Sequence, residues 1–131
     1  MEIDHLGIAV ARLDATVPIY EATLGARASP PEEIPSQKVR VRFLAAGSSH
    51  LEFLEPTDPE SAVGRFLAKR GEGLHHVAFH VSDVTAKLQE LGARGLPLID
   101  RTARPGARGR RVGFVGPAAH GGVLVEFVEG P

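Results

Sequence analysis

Two halves of this chain carry the same landmarks in the same order, and that duplication constrains the fold more than any local pattern. Asp4-His5-Leu6-Gly7-Ile8-Ala9-Val10 is echoed by His75-His76-Val77-Ala78-Phe79-His80-Val81, and Leu24-Gly25-Ala26-Arg27 by Leu91-Gly92-Ala93-Arg94. Val41-Arg42-Phe43-Leu44 is answered by Val112-Gly113-Phe114-Val115. Glu52-Phe53-Leu54-Glu55-Pro56 returns as Glu126-Phe127-Val128-Glu129-Gly130-Pro131, with one glycine inserted. A chain of 131 residues has the length of one compact domain. We therefore expect a single domain over residues 1–131, built from modules of about 1–56 and 72–131.

Each module reads as α+β. Residues 2–10 and 74–81 are short apolar runs of strand type. After the first, Asp14 is placed to cap a helix with Val17, Tyr20 and Leu24 on one face, ending near Gly25, with Pro18 inside its first turn. After the second, Ser82 or Asp83 caps a helix carrying Val84, Leu88 and Leu91. Strands are expected over about 38–46 and 50–55, and over 111–116 and 122–128. The breakers Pro56-Thr57-Asp58-Pro59 introduce a connecting helix at 61–70, stopped by Gly71 and packed through Val63, Phe66 and Leu67. Residues 28–36, with three prolines and Glu32-Glu33, read as an irregular flap.

Composition removes several functional classes. Without cysteine there is no disulfide, thiolate nucleophile or sulfur-ligated metal, so any ion must take nitrogen and oxygen donors. A formal charge of −1 predicts no nucleic-acid partner. No apolar run reaches bilayer length, and the acidic amino terminus lacks the signature of a secretory signal, so a cytoplasmic location is expected. Arg101, Arg104, Arg108, Arg110 and Arg111 crowd one Gly/Pro-containing stretch and make a local positive field.

Strand alternation aims a lone polar residue at one definite face. His5 and His76 occupy equivalent points on the first strands, and Glu52 and Glu126 on the last. If the halves pair about a pseudo-two-fold axis, the four converge in the cleft between them as a two-His, two-carboxylate shell for a hard or borderline divalent ion. A lone His or Glu on a strand is usually only solvated or hydrogen-bonded; four at symmetric positions favour the metal. His75 points away from His76, and His50, His80 and His120, without symmetric acidic partners, read as surface residues.

The residues that carry a family resemblance are Asp4 to Val10, the Ser36-Gln37-Lys38-Val39 turn with its strand to Leu44, Leu51 to Pro56, Gly71 to Phe79, and Gly121-Gly122-Val123-Leu124-Val125-Glu126. Through them the chain resembles the methylmalonyl-CoA epimerases of the glyoxalase, or vicinal-oxygen-chelate, superfamily. The resemblance implies two tandem βαβββ modules forming a glyoxalase-like cleft, and metal ligands at His5, Glu52, His76 and Glu126. It implies one divalent ion, cobalt first, with manganese and zinc as alternatives. The implied reaction removes and returns the proton at C2 of an acyl-CoA thioester, with Glu126 as one acid/base, and the implied assembly is a homodimer.

The chain departs from the family at Ser36 and Val41, where relatives carry glutamate, and at Gly116-Pro117, where they carry His-Pro. That leaves the second acid/base open; Glu33 on the flap and a metal-bound water are the candidates. Arg108, Arg110 and Arg111, with Gln37, are the expected contacts to the substrate, set against a merely solvated loop. The rival readings are a glyoxalase I acting on a hemithioacetal, a metal-free drug-binding resistance protein, and a ring-cleaving dioxygenase using two His and one Glu.

Overall fold

The computed structural model describes residues 1–131. They form two compact units, one of residues 5–75 and one of residues 1–4 with 76–131. Eight strands and three α-helices follow the order β1 (Ile3–Ala9), α1 (Leu13–Leu24), β2 (Glu32–Ile34), β3 (Val39–Ala46), β4 (Ser49–Pro56), α2 (Ala62–Arg70), β5 (Gly73–His80), α3 (Val84–Ala93), β6 (Arg104–Pro105), β7 (Arg111–Val115) and β8 (Leu124–Glu129). The βαβββ sequence thus occurs twice.

In the unit of residues 5–75 the strand order is β2-β3-β4-β1, with β1 parallel to β4 and the other neighbours antiparallel. One sheet face carries Val10, Leu44 and Phe53 and packs on Leu13 and Val17 of α1. The opposite face carries His5, Gly7 and Ala9 of β1 beside His50, Glu52 and Leu54 of β4, then Phe43 and Val41 of β3. Helix α2 begins on Ser61, whose Oγ accepts from the Gly64 N–H, and ends on Gly71. Just before it, the Glu60 N–H donates to the Asp58 carboxylate and holds that group below its ordinary pKa.

In the other unit the order is β5-β8-β7-β6, with β5 parallel to β8. Helix α3 lays Val84 and Leu88 against Val115, Val125 and Phe127. It comes close because β7 has no side chain at residue 113: a Cβ there would lie 2.6 Å from Leu88 Cδ1 and 3.0 Å from Val84 Cγ1. The equivalent residue of β3 is Arg42, whose Nε donates to the Ser29 carbonyl at 2.7 Å and ties down the chain after α1. No helix is long and apolar enough to cross a membrane.

Four sequence expectations change. Asp14 is not the cap of α1; the helix starts at Leu13, and Asp14 instead pairs with Arg12, whose pKa it raises. Pro18 therefore lies beyond the first turn, and Leu24 is exposed while Leu13 takes its place in the core. Residues 28–36 are not wholly irregular, because Glu32–Ile34 forms β2, an edge strand paired with Val39 to Val41. The expected Asp83 cap of α3 is present, accepting from the Ala86 N–H at 2.9 Å.

Candidate metal centre

Register delivers the functional side chains. Parallel pairing sets Gly7 beside Glu52, and antiparallel pairing sets Phe43 across from it, so no bulky chain on β1 separates His5 from the Glu52 carboxylate. His5 Nε2 lies 3.2 Å from Glu52 Oε1, and the Phe43 ring stands edge-on to the imidazole at 5.9 Å and 88°. The second half-site repeats this arrangement. Ala78 stands beside Glu126 and Phe114 across from it; His76 Nε2 lies 2.8 Å from Glu126 Oε1, and Phe114 is edge-on to His76 at 5.8 Å and 88°.

All four polar residues are buried, none more than 7% exposed. Glutamate and histidine are seldom sequestered to this degree without a compensating partner. One ligand atom from each of His5, Glu52, His76 and Glu126 lies within 4.8 Å of the others. Two imidazole nitrogens and two carboxylate oxygens form an N/O donor set of charge −2 when both acids are ionised, which suits a borderline divalent ion. The residues present fit such an ion.

The chain from residue 4 to 114 matches the model of the Glyoxalase/Bleomycin resistance protein/Dioxygenase superfamily. A methylmalonyl-CoA epimerase solved in complex with methylmalonyl-CoA and NH4+ is 42% identical, superimposes with a TM-score of 0.92, and is matched over 97% of this chain and 92% of its own. A variant of the Streptomyces coelicolor methylmalonyl-CoA epimerase, in complex with 2-nitronate-propionyl-CoA, gives 41% identity, a TM-score of 0.94, and coverage of 98% and 94%. The chain belongs to the methylmalonyl-CoA epimerase family. The Cereibacter sphaeroides ethylmalonyl-CoA/methylmalonyl-CoA epimerase is likewise 35% identical over 97% of this chain and 96% of its own length.

Against the background of this epimerase family, several residues singled out in the sequence fall in unexpected places. Arg110 is not available to a phosphate: it is buried, and its Nη2 donates to Asp4 Oδ1. A carboxylate on β1 has drawn its guanidinium inward. Arg108 is exposed on the same loop, with a left-handed φ of 59°. Arg111 is exposed and stands directly across from Glu129, with Nη2 3.4 Å from the Ala103 carbonyl. Gln37 is half-buried in the β2–β3 turn, its N–H donating to the Ile34 carbonyl. Glu33 is exposed on β2, on the opposite side of the strand from buried Ile34, so it faces away from the side that carries His5 and Glu52. His75 points away from His76 as expected, with its ring edge-on to Phe66 at 4.9 Å.

His50 is no surface residue. It is half-buried beside His5 on the same sheet face, and its ring meets Phe43 edge-on at 6.2 Å. Glu55 and Glu129, matched in the repeat but given no task by the sequence, cap the helices of their own modules. Glu55 Oε1 accepts the Leu13 N–H at 2.8 Å, and Glu129 Oε1 accepts the Val84 N–H at 3.2 Å. Each stands across from an arginine, Arg40 or Arg111. The identical spacing from Glu52 to Glu55 and from Glu126 to Glu129 was the signal in the sequence.

Proposed function

We propose that this chain interconverts the (2R) and (2S) forms of methylmalonyl-CoA, with His5, Glu52, His76 and Glu126 holding one divalent ion, cobalt before manganese or zinc. The observation that carries the reading is the buried four-donor cluster within 4.8 Å, on a chain of this family. The ion, when bound, would offset negative charge developing on the thioester oxygen as C2 loses its proton.

The remaining work falls to the protein. Phe43 and Phe114 brace the two imidazoles edge-on, fixing which ring nitrogen faces the carboxylates. Glu126 is positioned by Ala78, which leaves room beside it, and exchanges a proton with C2 on one face of the substrate. Inversion demands a second group on the other face, because one base can return its proton only to the side from which it came. Arg108 and Arg111, exposed beside Gly106 and Gly109, supply guanidinium groups for the phosphates of a CoA thioester. The expected assembly is a homodimer, which sedimentation measures.

Incubation with methylmalonyl-CoA in deuterated buffer, followed by NMR, tests the reading. Deuterium should enter C2 as the two forms equilibrate, chelation should abolish exchange, and one equivalent of cobalt should restore it. His76→Ala should remove both the exchange and the bound metal. Absence of exchange, together with turnover of the methylglyoxal–glutathione hemithioacetal, would establish a glyoxalase I instead.

A further inference from the structure

Epimerisation at one carbon needs two proton-transfer groups, and the half-site residues supply only one obvious candidate, Glu126. The register of β2 identifies the other. Glu32 pairs with Val41, Val41 with Leu54, and Leu54 with Ala9; one row along, Phe43 pairs with Glu52 and Glu52 with Gly7. Paired residues share a sheet face. Glu32 therefore projects from the same face as His5, Phe43 and Glu52, whereas its neighbour Glu33 projects from the other.

On that face of β1 to β4 Glu32 is the one carboxylate besides Glu52. It stands two strands from Glu52 and one row further along, about 10 Å across the sheet and about 7 Å along it between backbone positions. Ile34, Val39 and Val41 beside it are each no more than 4% exposed, and Glu32 itself is half-buried on the edge strand.

We infer that Glu32 is the second acid/base, handling the C2 proton on the substrate face opposite Glu126. The inference rests on the epimerase reading. The duplication supports it by contrast. The corresponding residue of the other module, across from Val112 in the row next to Glu126, is Arg104, which lies over the Phe114 ring at 5.2 Å and cannot act as a base. The competing group is His50. It lies in the row of His5, toward the β3–β4 hairpin, where Ala45 and Ala46 are exposed and water has access.

Each pure enantiomer of methylmalonyl-CoA, offered in deuterated buffer to the metal-loaded protein, separates these assignments. Glu32→Gln should lower interconversion about 10²–10⁴-fold. It should still wash deuterium, with retention, into the enantiomer whose proton faces Glu126, and its metal content and melting temperature should match the parent's. Glu33→Gln should behave as the parent. Should Glu32→Gln fail to fold, Glu32→Asp supplies the same test through slowed inversion with the one-sided exchange retained. Interconversion at the parent rate in Glu32→Gln would overturn the assignment, as would one-sided exchange appearing in His50→Gln instead. A parent protein that exchanges neither enantiomer would remove the epimerase reading itself.

Discussion

Replacing Asp4 by alanine strands a guanidinium inside the protein. Arg110 and Asp4 form an ion pair whose side chains are only 5% and 13% exposed, and Arg110 Nε is buried with no hydrogen-bond partner of its own. The glycine at 130 lies against the arginine stem, since a Cβ there would approach Arg110 Cγ at 3.3 Å, so the side chain has little room to swing out. Removing one member of a buried pair leaves its charge uncompensated and costs about 3–5 kcal/mol. In a chain of this length each kcal/mol lowers the melting temperature by about 3–5 °C, so that of Asp4→Ala should fall by about 10–25 °C. The double variant Asp4→Leu/Arg110→Met replaces the pair with apolar groups of similar bulk and should recover most of the loss. Thermal and urea denaturation followed by circular dichroism measure both. A loss below about 1 kcal/mol for Asp4→Ala, the magnitude of a solvated surface pair, would refute the reasoning. Because Arg110 faces Asp4, the double variant should bind CoA thioester as the parent does; a large rise in KM would return this arginine to the phosphate.

Gly113→Ala should destabilise by about 1–3 kcal/mol, because its methyl group would press on Leu88 and Val84 and lift α3 from the sheet; an unchanged urea midpoint would show that the helix yields freely. Glu55→Ala and Glu129→Ala should each cost about 1 kcal/mol through a lost bond to the first N–H of α1 or α3, with Glu55 the larger because its bond is shorter and because Asp83 still caps α3; equal stability to the parent in both would remove the capping role.

The duplication was legible because it is written in side chains that face inward: equal polar residues at equal strand positions have to meet the same surroundings twice. His5, Glu52, His76 and Glu126 stand among apolar neighbours, and alternation alone gave their direction. What the sequence concealed depends on non-local pairing. Three prolines around Glu32 and Glu33 read as an irregular segment, and only the ladder to Val39–Val41 reveals which acid turns toward His5. His50 looked dispensable because its face is set by a parallel partner on β1. Asp14 obeyed the local rule for a helix start, but the first N–H of α1, on Leu13, went to Glu55, a carboxylate forty-two residues further along the chain. Arg110 sat in a basic run, and nothing nearby in the chain foretold Asp4, which is distant in sequence.

The strands β4 and β8 each carry one acid on one side and another, three residues later, on the reverse. Glu52 turns to a histidine while Glu55 turns to a helix, and Glu126 and Glu129 do likewise. A chain that assembled with either strand displaced by a single residue would swap these sides, forfeiting a donor and a helix cap together. Mispaired sheets are thus penalised by the same residues that equip the centre, and assembly fidelity and chemical competence are inherited as one trait in each copy of the repeat.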